Sequence, residues 1–151
     1  GDRIAVVGGG VVGCLIAALA GALPGADVTL IDHVPARAAI AATLGVSFAT
    51  PPAGPSDCDI VFHASANDRG LAAALEMAGF EGTVVEVSWF GDRPVEVPLG
   101  RRFHSGRLKL VSSQVGHVAT SRRPRWTYQR RMAKALELLK DSRLECLLGE
   151  E

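Results

Sequence analysis

Residues 3–32 read RIAVVGGGVVGCLIAALAGALPGADVTLID, and this stretch decides the fold. A β-branched apolar run, Arg3–Val7, ends in three adjacent glycines, Gly8 to Gly10, with Gly13 three residues on. An Ala- and Leu-rich segment, Val11–Leu23, has helical composition and is stopped by Pro24-Gly25. A second apolar run, Asp27–Ile31, then ends in Asp32. Strand, glycine turn, helix and strand form the first unit of an alternating α/β chain.

The glycines fit G-x-G-x-x-G with Gly8, Gly10 and Gly13 in its three places. The first permits a tight turn out of the strand. The second admits a pyrophosphate against bare backbone, and the third lets the helix pack closely on the strand. Phosphate then lies at a helix N-terminus, beside the free N–H groups of Val11, Val12 and Gly13, where the dipole favours an anion. A carboxylate about 20 residues further on is the group that would bond the adenosine ribose hydroxyls. Asp32 fills that place, repels a 2′-phosphate and favours NAD over NADP. His33 follows directly. Arg37, the first arginine beyond it, reads either as a contact beside the adenosine or as a solvated arginine of a first helical turn.

The alternation continues. Pro35–Leu44 is expected to be helical, with Pro35 in its first turn and Gly45 just past its end. Val46–Ala49 is a short third strand, Asp59–His63 a fourth, Gly70–Ala78 a helix ending at Gly79, Thr83–Val87 a fifth strand and Leu108–Ser112 a sixth. Arg125–Lys140 is the last helix, with Tyr128, Met132, Ala135, Leu136 and Leu139 on one face. Strands this uniformly apolar belong in a parallel sheet covered on both faces. The expected fold is therefore α/β, a doubly wound three-layer Rossmann sheet of order 3-2-1-4-5-6, spanning residues 1–121, with residues 122–151 as a C-terminal helix and tail. Pro51–Asp57 (PPAGPSD) is too short and proline-rich for a helix. It would have to cross roughly 22 Å, within the reach of about eight extended residues. Ser88–Gly106 reads as a loop-rich crossover with a β-like piece at Val95–Val97.

Composition narrows the rest. The chain has 151 residues, 48% hydrophobic and 21% charged, with 16 basic and 16 acidic side chains. That is a globular domain with no global charge for nucleic acid. Its richest apolar run is broken by Gly13, Gly21 and Pro24, so no membrane span is expected. No signal peptide is expected at the start. Cys14, Cys58 and Cys146 lack disulfide-framework and zinc-ligand spacing and read as buried thiols. A cytoplasmic setting follows from that usage. His33, His63, His104 and His117 show no metal-ligand spacing. His63 reads as a core or rim residue, and His117 has the best claim to a role. Ser112-Ser113-Gln114 lacks a nucleophile signature. Arg122, Arg123, Arg125, Arg130 and Arg131 interleave with Trp126 and Tyr128, but on an amphipathic helix they read as solvated or packed on a neighbour rather than as a nucleic-acid surface.

Taken together, VVGGGVVGCLIAALA, VTLIDHVPARAAIAATLGV, DIVFHASANDRGLAAALEMAGFEGTVVEVSWFG and PLGRRFHSGRLKLVSSQVG resemble the nucleotide-binding domain of the medium-chain, zinc-type alcohol and polyol dehydrogenases. The resemblance covers most of Arg3 to Gly116, and the tail from Arg122 resembles the helix leading back to that family's catalytic domain. It implies an NAD-binding domain of an oxidoreductase that moves hydride between nicotinamide and an alcohol or carbonyl. The nicotinamide would lie over the ends of the last three strands, at Ala64-Ser65, Ser88-Trp89 and Ser112-Ser113. It also implies a homodimer joined through the last strand. In that family a preceding catalytic domain supplies the zinc ligands and most of the substrate pocket, and a helix commonly stands where this chain has PPAGPSD. The chain therefore reads as a cofactor domain separated from its catalytic half. No metal ligand or catalytic residue is assigned within it, zinc belongs to the absent half, and the isolated chain is expected to be inactive. The alternative is a non-enzymatic NAD(H)-sensing module whose ligand state gates a partner. The proline-bearing crossover and KLVSSQVG favour the dehydrogenase.

Overall fold

The computed structural model describes residues 1–149. Six parallel strands form one sheet in the order β3-β2-β1-β4-β5-β6. They are β1 (Arg3–Val7), β2 (Asp27–Ile31), β3 (Ser47–Ala49), β4 (Cys58–His63), β5 (Ala78–Glu86) and β6 (Lys109–Ser112). Helices α1 (Val11–Gly21), α2 (Ala38–Leu44), α3 (Asp68–Met77), α4 (Arg101–Ser105) and α5 (Tyr128–Leu138) lie between and after them. This is the expected Rossmann sheet. Its order reverses between β1 and β4, so the carboxyl ends of those strands open a crevice there.

The pleat sorts the core into two layers. Ile4 and Val6 join Cys14, Ala17, Val28, Leu30 and Leu44 on the side of α1 and α2. Ala5 and Val7 join Ile31, Val61, Leu71, Leu75 and Val84 on the side of α3. A short 3-10 turn over Pro35–Arg37 precedes α2, and Gly45 closes that helix at φ 76°, the left-handed conformation expected of a glycine just past a helix. As read, the Pro51–Asp57 crossover contains no helix.

Four expectations need correction. First, α3 ends at Met77, and Ala78 already pairs with Cys58, so no loop follows that helix at Gly79. The early part of β5 is irregular: the register shifts between Cys58 and Ile60, and Glu81 takes a φ of 58°. Second, Val95–Val97 forms no strand; Val95 and Val97 pack singly against the α3-side core, and the helix of this crossover is α4. Third, the last helix is shorter than Arg125–Lys140 and none of its residues is buried. Tyr128, Met132, Leu136 and Leu139 are all exposed. What returns to the sheet is the 3-10 turn after it, Ser142–Leu147, whose Leu144 and Leu147 pack on the α1–α2 core while Arg143 bonds the Leu44 carbonyl at 3.1 Å. Fourth, Cys146 is exposed, while Cys14 and Cys58 are buried.

Candidate functional site

The glycine turn sits where β1 meets α1. Gly8 adopts φ 109°, and a Cβ there would also lie 2.8 Å from the backbone at Ala64 and Ser65. Only glycine satisfies both demands. A Cβ on Gly13 would run into the Gly8 carbonyl, so the third glycine is required by helix–strand contact. Gly10 is different, since a Cβ there would meet nothing within 4 Å. The fold itself does not need that glycine, and the space above it is free for a ligand. Gly10 is also the N-cap of α1, with no side-chain cap and no acidic residue in the first turn. The leading N–H groups of Val11, Val12 and Gly13 therefore have no side chain of the cap or first turn to satisfy them.

Asp32 lies just beyond β2 and is 5% exposed. Its Oδ2 accepts from the Gly9 N–H at 2.7 Å and from the Arg37 guanidinium, and its Oδ1 accepts from the Val34 N–H at 2.9 Å. Burial pushes this carboxyl up, but the Val34 and Gly9 N–H groups and Arg37 outweigh it and hold the pKa below the ordinary value of 3.8. Asp32 is thus an ionised carboxylate tied to the glycine turn. Arg37 is Asp32's ion-pair partner, with its side chain 35% exposed. His33 lies on the open rim, its side chain 86% exposed and its Nδ1 3.5 Å from Asp32 Oδ1.

A cleft of about 410 Å³ opens beside the turn, lined by Gly8, Asp32, His33 and Pro51 on one wall and by Ser65 and Arg69 on the other. A groove of similar size between α1 and the tail, lined by Leu15, Leu19, Leu138 and Leu144 and by Ala135 and Leu139 of the last helix's apolar stripe, contains none of the candidate cofactor residues.

At the ends of the remaining strands, the Ala64 N–H bonds the Val7 carbonyl at 2.8 Å, and the Ser113 N–H bonds the Glu86 carbonyl at 2.8 Å. Ser88 Oγ accepts from the Ala66 N–H at 3.0 Å. Ser112 is exposed at the sheet edge, and Trp89 is 85% exposed and lines neither the cleft at the glycine turn nor the groove beside α1. The structure therefore gathers Gly8, Asp32, His33 and Ser65 around one opening, with Arg37 paired to Asp32 outside its lining, and leaves Trp89, Ser112 and Ser113 away from it. His117 is exposed, its carbonyl accepts from Arg131 at 3.2 Å, and it lies away from the cleft at the glycine turn. The tail arginines are occupied locally: Arg130 stacks over Trp126, Arg131 over Tyr128, and Arg123 bonds the Val118 carbonyl.

Sequence reasoning missed one array. His63 is fully buried, with Nδ1 2.6 Å from Glu86 Oε2 and Nε2 2.7 Å from Ser65 Oγ. The signal was two polar side chains in otherwise apolar strands, DIVFH and TVVE, which parallel register places side by side. Both buried thiols are held protonated by burial: Cys14 is raised above its ordinary pKa, and Cys58 is pushed to about 11. Among the described residues, no group of three or more His, Cys, Asp or Glu is placed to hold a metal ion, and no helix is long and apolar enough to cross a membrane.

No family model matches the chain. D-guloside 3-dehydrogenase of Escherichia coli K12 is 27% identical over 158 aligned positions, covering 97% of this chain and 45% of that protein. Alcohol dehydrogenase from Thermus sp. ATN1 superposes with a TM-score of 0.66 at 27% identity, over 75% of this chain and 36% of its own. Acetophenone reductase from Geotrichum candidum, solved in complex with NAD, superposes with a TM-score of 0.70 at 17% identity, over 95% of this chain and 39% of its own. The chain thus spans less than half the length of the proteins it matches.

Proposed function

We propose that this chain, a Rossmann-type domain related to the nucleotide-binding domains of the zinc-type alcohol and polyol dehydrogenases, binds a nicotinamide dinucleotide and prefers NAD to NADP. The observation that carries the reading is the joining of the open glycine turn to a buried, ionised carboxylate by the Gly9–Asp32 hydrogen bond. The first-turn N–H groups at Val11, Val12 and Gly13 receive the pyrophosphate over the bare backbone of Gly10. Asp32 accepts from ribose hydroxyls, and its charge disfavours a phosphate in their place. Arg37 keeps the carboxylate ionised and in position. Ser65, in the same cleft as Asp32, faces the ribose end, and Ala64, Ser88, Ser112 and Ser113, with Trp89 and His33 at the margins, form the edge along which the rest of the cofactor lies.

The dinucleotide, when bound, supplies hydride chemistry. The alcohol or carbonyl substrate is the part of the reading that rests on the relatives. No residue of this chain is assigned a catalytic role, and on its own the chain holds the cofactor without turning substrate over. It pairs with a second copy through β6, the sheet's edge strand, whose Val111 is 43% exposed.

Calorimetric titration with NADH and NADPH tests the cofactor assignment. NADH binding at least about tenfold tighter is expected, since a phosphate beside a buried carboxylate meets like-charge repulsion. Tighter NADPH binding overturns the role given to Asp32.

A further inference from the structure

The array at the end of β4 has a donor and acceptor order that can be read atom by atom. Glu86 Oε1 accepts from the Ser88 N–H at 2.8 Å and Oε2 faces His63 Nδ1 at 2.6 Å. A carboxylate has only acceptors, so His63 Nδ1 carries the proton on that side. In the neutral ring Nε2 is then an acceptor, and the hydroxyl 2.7 Å away, Ser65 Oγ, donates to it. Asn67 Nδ2 donates to the same oxygen at 2.9 Å. Asn67 is itself fixed, because its Oδ1 accepts from the Gly70 N–H at 2.7 Å as the cap of α3. Ser65 thus spends its one proton on His63 and one lone pair on Asn67, and a single lone pair remains. Ser65 lines the same cleft as Asp32.

The arrangement is built in. A Cβ on Gly70 would run into Ser65 Oγ and come within 2.8 Å of His63 Nε2, so α3 lies against the pair only because residue 70 is glycine. Phe90 stacks on the His63 ring, with centroids 6.0 Å apart.

We propose that Glu86, His63 and Ser65 form a hydrogen-bond relay that presents Ser65 to the dinucleotide cleft as an acceptor only, so that a hydroxyl of the cofactor's sugar is taken there and a phosphoryl oxygen is refused. Ser65 touches the ligand; His63 and Glu86 are positioning residues that act through it. The inference rests on the dinucleotide reading and deepens it, by adding a second acceptor to Asp32 and a reason for it unrelated to net charge.

Glu86→Gln reverses the relay. Its carbonyl keeps the Ser88 N–H, and its amide group then donates to His63 Nδ1. The ring proton moves to Nε2 and donates to Ser65 Oγ. With both lone pairs filled, the Ser65 hydroxyl proton turns toward the cleft, and Ser65 becomes a donor that welcomes phosphate.

Two measurements test this on the full chain. Nitrogen-15 NMR of His63 is expected to show the Nδ1–H tautomer in the wild type and the Nε2–H tautomer in Glu86→Gln. In calorimetry, Ser65→Ala is expected to weaken NADH about fivefold to tenfold, the worth of one neutral hydrogen bond. Ser65→Thr, which keeps the hydroxyl, recovers most of that loss. Glu86→Gln shifts the NADPH-to-NADH preference toward NADPH, and that shift disappears in the Ser65→Ala/Glu86→Gln double variant. An Nε2–H tautomer in the wild type, NADH binding indifferent to Ser65→Ala, or a Glu86→Gln shift that survives without Ser65 overturns the relay. A wild-type chain that shows the expected tautomer but binds no NADH overturns the dinucleotide reading instead, and the ligand half of this inference with it.

Discussion

The two halves of the sheet are built to different standards. Around β1 and β2 both faces are covered: Ala5, Val6, Leu30 and Ile31 are fully buried, and β4 buries Val61 on the α3 side while Ile60 and Phe62 on its other face are half-buried. At β5 and β6 one face is largely bare. Val84 is buried on the α3 side, while Thr83 and Val85, which alternate with it, are only half-buried, and Lys109 and Val111 on β6 are exposed. The helix that follows β6 keeps its apolar stripe in solvent instead of laying it on this face. In the proposed reading the first half holds the anion and ribose seat. The second half presents an open edge and a half-bare face.

Glycine substitutions give the largest contrast, and they lie within one turn. Gly13→Ala forces a Cβ onto the Gly8 carbonyl, and a loss of about 3 kcal/mol or more is expected in chemical denaturation. Gly10→Ala meets open space, so its stability should change by less than about 1 kcal/mol. NADH affinity should nonetheless fall at least about tenfold, because the new methyl occupies the phosphate's approach. A Gly10→Ala chain that unfolds, or one that binds NADH normally, would break the distinction between a glycine kept for the fold and one kept for the ligand.

Truncating side chains compares the halves directly. Leu75 is 1% exposed, under α3, and Leu75→Ala should cost about 2–5 kcal/mol. Val111→Ala on the bare edge should cost less than about 0.5 kcal/mol in the monomer. A comparable loss at both positions would mean that the β5–β6 half is packed as tightly as the first.

The acid limb of stability sharpens the picture of Asp32. Its pKa is lowered in the folded chain, so the carboxylate contributes stability that is present above its unfolded value of about 3.9 and is lost as pH falls through the folded value. Asp32→Asn should be less stable than the wild type at neutral pH, and its stability should decline less between about pH 5 and about pH 2. Parallel pH profiles for the two chains would place the acid sensitivity elsewhere.

Legibility in the sequence follows the same division. The first βαβ unit was readable because each step is local: β-branched residues make β1, the glycines make the turn, and Asp32 ends β2. The proline-rich Pro51–Asp57 link was readable for the same reason. The second half was not. α4 is five residues long with no periodicity to reveal it. Val95 and Val97 alternate like a strand but pack singly. Ala78 pairs as soon as α3 ends, and only β4's register determines that. The stripe on the last helix correctly marked an amphipathic segment, but periodicity does not say whether this chain covers it. At the site, the glycine–Asp32 pair was legible because its spacing is fixed by one βαβ unit. The His63–Glu86 pair was not, since it depends on two strands meeting in one particular register.

The last comparison concerns the two edges of the sheet. β3 is three residues long, a short edge of the kind that resists pairing with other chains. β6 is four residues long, with Leu110 and Val111 apolar and Lys109 as its only charge. Among the described residues it pairs with β5 on one side and with no strand on the other. None of α5 is buried, so that helix does not seal the edge. A second copy related by a twofold axis would add its own β6 antiparallel to this one and extend the sheet across the interface, the self-complementary contact of a symmetric dimer. Val111→Pro removes one N–H donor and disfavours ladder geometry. At an edge position of low burial it should leave secondary structure intact by circular dichroism. It should, however, shift the mass seen by light scattering from dimer to monomer. Substituting proline at Phe48 in β3 should leave the mass unchanged wherever the variant folds. A wild-type chain that is already monomeric, or a dimer that survives in a folded Val111→Pro variant, would remove β6 as the pairing edge and leave the bare face beside it as the surface to test.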